Sequence, residues 1–146
     1  DDGTILTESI AICRYFEEVW PAPALFGTGP LERATIEMWN RRAELELYLA
    51  IQAVFRHTHP GMAAAEVPQI AEWGQVNRAR AISALELLDA RLAETRYLAG
   101  ANFSVADITA LVSVDFLKAA RLALPEELVH LRRWYGEVST RPSAGA

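Results

Sequence analysis

Apolar residues along this chain recur mostly at three- and four-residue intervals, the period of a helix with a packed face. The clearest run extends from Leu31 to about His57. At about 100° per residue, Ala34, Met38, Leu45 and Leu49 gather on one side, while Ile36, Trp39, Ala43, Leu47, Ala50 and Val54 gather nearly opposite. Two stripes on one helix predict cover on both sides. Either the helix is central to one large bundle, or one stripe faces its own core and the other a cleft or a subunit partner. Pro60-Gly61 ends this helix, and a second runs from about Pro68, a residue suited to the first helical position, to Glu94. Ile82, Leu85, Leu88 and Leu92 form its inner face. A third helix begins at Ser104, stops before Pro125 and carries Val105, Ile108, Val112 and Phe116; a last one spans roughly Glu126 to Thr140, ahead of Arg141-Pro142.

The first 30 residues follow a different pattern. Asp2-Gly3 is a hairpin-type turn dipeptide, and Thr4-Ile5-Leu6 a short β-prone run. A helix then opens at Thr7 or Glu8, with Ile10, Cys13 and the Val19-Trp20 end at helical spacing, until Pro21 and Pro23 stop it. Pro21 to Pro30, with three Pro and two Gly, reads as an interdomain linker. No internal repeat or low-complexity tract interrupts the order.

With 146 residues, 51% of them hydrophobic and 23% charged, the chain can bury one real core. A net charge of −5 and the lack of any basic run argue against a nucleic-acid partner. No apolar stretch is long enough for a membrane-spanning helix. The single cysteine, Cys13, excludes an intrachain disulfide, suits a reducing cytoplasmic setting, and is expected to be a small buried hydrophobe. The acidic opening, without Met and inside a turn signal, reads as a chain that continues upstream and carries no signal peptide. His57 and His59 are expected to cap the end of the long helix. No carboxylate or thiol set accompanies them, so no metal site is expected, and His130 reads as packed. Glu37, Arg41 and Glu44 are spaced for a solvated ion-pair chain, with Arg42 set against Glu46.

Phe103-Ser104-Val105-Ala106-Asp107-Ile108 reads as a helix start. The Ser104 hydroxyl can accept from the amide three residues on, and Asp107 can reach back to the Ser104 amide, closing a capping box. Phe103 before the cap and Ile108 after it are placed for a hydrophobic staple. Glu8-Ser9 is the other suggestive pair. At a helix N-terminus the amides and the dipole favour an anion, so Ser9 can present its amide and hydroxyl to a carboxylate while Glu8 accepts from an ammonium. On spacing alone an ordinary acidic first turn is the better reading.

The run Tyr97-Leu98-Ala99-Gly100-Ala101-Asn102-Phe103-Ser104-Val105-Ala106-Asp107-Ile108 resembles the capping-box segment of the glutathione transferase superfamily. The tail from Leu131 through Trp134 to Arg141-Pro142-Ser143 is similar to that family's final-helix signature, and Asp2 to Ile12 resembles the end of its thioredoxin-like domain. The resemblance implies a mostly α chain: the last strand and helix of a thioredoxin-like domain (1–20), a linker (21–30) and an all-helical C-terminal domain (31–146). It implies a cytoplasmic, homodimeric enzyme in which the thiolate of glutathione, a co-substrate, attacks a small electrophile. The Ser, Tyr or Cys that activates the thiol would lie upstream of this chain, so no catalytic residue is expected here and these residues alone should be inactive. No metal, membrane or nucleic acid enters that picture. In the resembled family Glu8 and Ser9 would grip the γ-glutamyl end of glutathione. Asn40 matches an amide that, in beta-class bacterial relatives, reaches glutathione bound to the neighbouring subunit. Those relatives carry His and Lys seven and eight residues further on, where Leu47 and Tyr48 stand here, which points to another class. Tyr48 and Phe55, on the helix that lines the family's electrophile pocket, are candidates for that pocket. The alternative is a non-catalytic binding or interaction module on the same scaffold.

Overall fold

A computed structural model of the chain describes residues 3–145. Asp2, half of the expected Asp2-Gly3 turn, lies outside them. The α-helices among the described residues are α1 (Ser9–Val19), α2 (Pro30–Arg42), α3 (Leu49–Thr58), α4 (Ala71–Glu94), α5 (Val105–Phe116) and α6 (Val129–Val138). A π-helical stretch, Ala43–Tyr48, joins α2 to α3 without a break, so the expected long helix exists with a widened middle. The described residues hold no β-strand, and the strand expected at residues 4–6 is not formed. A strand needs a neighbouring extended segment to pair with, and Ile5 stands 86% exposed.

The two stripes of the long helix have different fates. Ile36, Trp39, Ala43, Leu47, Ala50 and Val54 are all buried. Met38, Leu45 and Leu49 remain 43%, 48% and 43% exposed. Within this chain the helix is therefore covered on one side, not at the centre of a bundle. From Trp39 onward its buried stripe meets Leu85, Leu88 and Leu92 of α4, with Ile82 half-buried beside them, and Leu111, Leu131 and Trp134 in the same core, while Ile36 packs with Phe26 and Val105. α3 and α4 pass so closely that a Cβ on Gly74 would lie 2.4 Å from Thr58 Cγ2. Only glycine fits that crossing.

α4 starts at Ala71, not at Pro68. Gln69 donates its side-chain amide to the carbonyls of Arg56 and His59, and the Ile70 amide donates to His57 Nδ1, which holds this segment outside the helix. The two histidines thus differ from the expected cationic caps. His57 Nδ1 accepts from Ile70, and His59 Nδ1 accepts from Gly61 at the start of the short 3₁₀ turn Pro60–Met62. The ion pairs differ too. Arg41 bonds Glu44 at 2.6 Å, but Glu37 pairs with Arg14 of α1, and Arg42 lies over the Trp39 ring.

The capping box at the start of α5 forms as expected. Asp107 is fully buried and accepts four hydrogen bonds: from the Ser104 amide and hydroxyl, from the Leu98 amide, and from Trp134 Nε1. Burial pushes its carboxyl above the usual carboxylate range, against the pull of those donors. The proposed staple partners turn to different neighbours. Phe103 packs edge-on to Tyr97 beneath the Arg141 guanidinium, while Ile108 is 38% exposed and faces a cleft. α6 begins at Val129, three residues later than the pattern suggested, where Asp89 of α4 accepts from the Leu131 amide at 2.8 Å. Arg133 donates to the Leu92 and Thr95 carbonyls, a cation at the C-terminal end of α4.

Candidate functional site

The N-terminal end of α1 is unusual backbone. Glu8, its cap residue, has φ 67° and ψ 118°, in the left-handed range that a non-glycine residue enters only at a cost of about 1–3 kcal/mol. The Glu8 side chain makes no capping hydrogen bond. The first amides of α1, beginning with Ser9, carry the positive end of the helix dipole without that cap. Glu8 and Ser9 are both exposed.

Ser9 opens onto a cleft of about 650 Å³. One wall is α1, through Ile10, Cys13 and Phe16; a second is the segment before α2, through Leu25 and Phe26. The π-helical stretch contributes Glu44 and Tyr48, and α5 contributes Ile108, Thr109 and Val112. The lining is chiefly apolar, and both of its charged members are already engaged. Glu17 accepts from the Leu25 and Phe26 amides, and Glu44 is paired with Arg41. The Thr109 hydroxyl, on the α5 wall, donates to Asn40 Oδ1 at 2.7 Å. Such a space can enclose a small apolar molecule next to an anion-binding helix end.

Of the expected site residues, the structure brings Ser9 and Tyr48 to one cleft and leaves Glu8 at its edge. Phe55 is elsewhere: its ring packs against Phe116 and His59. Tyr48 also touches Phe116, at 5.7 Å between ring centroids, so the two candidates share a neighbour but not a surface. Asn40 is no surface amide. It is fully buried, and its Nδ2 has no protein partner. Cys13, expected in the interior, is exposed along the cleft, because α1 buries none of its residues. Most of the cleft lining escaped the sequence reading, Ile108, Thr109 and Val112 among it. Ile108 and Val112 stand at helical spacing with Val105, and spacing alone does not say that they front a cleft, as they do here, 38% and 54% exposed. Thr109 carries no sequence signal that separates it from an ordinary helical threonine.

Among the described residues no group of His, Cys, Asp or Glu could hold a metal ion, and no helix is long and apolar enough to cross a membrane.

Comparison with known proteins places this arrangement. Residues 64–137 match the family model described as glutathione S-transferase, C-terminal domain. The chain is 40% identical over 144 residues to glutathione S-transferase 2 of Saccharomyces cerevisiae, covering 98% of this chain and 62% of that protein. It superposes with a TM-score of 0.93 on the crystal structure of Gtt2 from Saccharomyces cerevisiae, at 40% identity over 99% of this chain and 70% of that one. A class Gtt2 glutathione S-transferase of Vibrio parahaemolyticus gives a TM-score of 0.86 at 36% identity, over 100% and 69% of the two chains. The chain belongs to the glutathione S-transferase family and carries its C-terminal helical domain. It spans 62% of the length of the curated yeast relative.

Proposed function

We propose that the intact protein is a glutathione transferase in which the thiolate of glutathione attacks a small apolar electrophile held in the cleft. The observation that carries this reading is the position of Ser9: it joins a helix N-terminus whose cap residue makes no side-chain bond to an apolar space of about 650 Å³. Ser9 presents its amide and hydroxyl to the α-carboxylate of the γ-glutamyl group, and Glu8 accepts from the neighbouring ammonium. Tyr48, Ile108 and Val112 supply the wall for the electrophile. Asn40 enters this reading as an interior support for Thr109, not as a contact to the tripeptide.

The helical domain begins after the linker, at residue 31, and residues 1–20 belong to a glutathione-binding domain whose other parts supply the thiol-activating group. That group acts by lowering the thiol pKa so that more thiolate is present near neutral pH. The exposed stripe of Met38 and Leu45 is the surface for a second copy of the chain, in line with a homodimer, while Leu49 at its end lines the cleft. A reduced Cys13 accords with a cytoplasmic protein. The test is turnover of a chloronitrobenzene by the intact protein with and without glutathione. Glutathione-dependent release of chloride supports the transferase reading. Glutathione binding without turnover across several electrophile classes points instead to a binding module.

A further inference from the structure

Among the described residues α1 buries none of its own side chains, and it meets the helical part of the chain through Ile10, which packs against Phe26, Ile36 and Val105, and through polar bonds. The segment between Pro21 and Pro30, which the sequence marks as a linker, supplies two of those bonds. The Leu25 amide donates to Glu17 Oε2 at 2.7 Å and the Phe26 amide to Glu17 Oε1 at 2.9 Å. On the opposite side, the Leu25 carbonyl accepts from the amide of Val105, the first residue of α5, at 3.0 Å. One dipeptide is thus bonded to α1 through a carboxylate and to the start of α5 through its backbone. Phe26 is 7% exposed and packs with Ile36 and Val105, with Ile10 of α1 against them. The Arg14 guanidinium lies 4.7 Å from the Phe26 ring centroid and donates to Glu37 of α2. Gly27 follows in the left-handed range, at φ +86°, and a Cβ there would lie 3.0 Å from both Glu32 and Ile36 side chains. This segment is a fastening, not a flexible tether.

We propose that Glu17 is the positioning residue that holds α1, and with it Glu8 and Ser9, at a fixed angle to the cleft wall. The inference rests on the reading of Ser9 as a glutathione contact. Glu17 and Ser9 lie eight residues apart, about 12 Å along a helix, so Glu17 does not reach the tripeptide itself. A tilt of about 10° at Glu17 displaces Ser9 by about 2 Å, which separates a productive hydrogen bond from none. The carboxylate suits the task because each oxygen takes an amide in a charge-assisted bond, fixing the dipeptide in two places. Glu17→Gln keeps one acceptor oxygen and turns an NH₂ towards the other amide, so it weakens the clamp without removing its bulk.

The experiment uses the intact protein, with Glu17→Ala, Glu17→Gln, Ser9→Ala and the Glu17→Ala/Ser9→Ala double variant. The KM for glutathione rises about five-fold in Glu17→Ala and less in Glu17→Gln, while kcat at saturating glutathione changes by less than about two-fold. In the double variant the two KM effects fall short of their product, since a displaced α1 has less to lose at Ser9. Amide hydrogen exchange accelerates at Leu25 and Phe26 and also across residues 9–13. Faster exchange confined to Leu25 and Phe26, with KM unchanged or the two effects multiplying, overturns the proposal and makes Glu17 a local stitch. If the wild-type protein binds no glutathione, the functional reading fails, and exchange at residues 9–13 still decides whether Glu17 orients α1. Should Glu17→Ala not fold, the same comparisons on Glu17→Gln decide.

Discussion

The indole of Trp134 donates to Oδ1 of Asp107 at 2.9 Å, tying the middle of α6 to the first turn of α5. Asp107 holds three backbone or side-chain neighbours besides, so the capping box is also a junction between the last helix and the loop before α5. Replacing Asp107 by Ala leaves the buried Leu98, Ser104 and Trp134 donors without an acceptor and is expected to destabilise the fold by about 3–5 kcal/mol. Asp107→Asn retains one acceptor oxygen and loses less. Urea unfolding of the three proteins ranks them; equal midpoints for Asn and Ala would contradict the junction.

Two carboxylates give opposite pH signatures. Glu137 is held below its ordinary value by hydrogen bonds from Arg96 and Tyr97, so its contribution is fully present above the unfolded pKa and is lost as pH falls through the folded one. Asp107 is raised by burial, so the folded protein binds its proton more tightly than the unfolded chain. Its contribution becomes more favourable as pH falls through the folded pKa. On acidification from neutral pH, the stability gap between wild type and Glu137→Gln therefore narrows. Wild type gains on Asp107→Asn over the same range. Denaturant midpoints across that range check both signs.

Tyr48 and Phe55 should separate function from packing. Tyr48 lines the cleft and Phe55 sits against Phe116 and His59. Tyr48→Ala is expected to raise the KM for apolar electrophiles about three-fold or more with a small change in stability. Phe55→Ala costs about 2–3 kcal/mol of stability, less than a fully buried Phe, with little effect on KM well below its unfolding temperature. Kinetics and thermal unfolding on both variants read the split.

The exposed stripe carries the assembly prediction. Met38→Glu with Leu45→Glu places two charges on that surface without touching the buried stripe opposite or the cleft lining. Sedimentation at micromolar concentration should show a dimer for the wild type and a monomer for the double variant. A wild-type monomer, or a double variant that stays dimeric, contradicts that use of the stripe.

Local signals were legible in the sequence, and long-range ones were not. The two stripes of the long helix follow from spacing alone, and the structure buries one of them position by position. The Ser104–Asp107 box is likewise written within four residues. What escaped depends on partners far along the chain. Glu17 looks like any acidic helix residue until the backbone brings Leu25 and Phe26 to it. Cys13 was misplaced because its burial depends on what covers α1, which its own spacing does not state. The start of α4 moved from Pro68 to Ala71 through bonds from Gln69 and to His57, contacts that no cap rule contains. Ile108 and Val112 share a helical period with core residues, yet they front a cleft that only the packed helices create.

The central claim is that the start of α1 grips the γ-glutamyl end of glutathione, and calorimetric titration of glutathione into the intact protein tests it most directly. With Ser9→Ala and Glu8→Ala, each removing one charge-assisted bond, affinity is expected to fall about ten-fold or more per substitution at unchanged folding stability. Wild-type affinity in both variants would contradict the assignment.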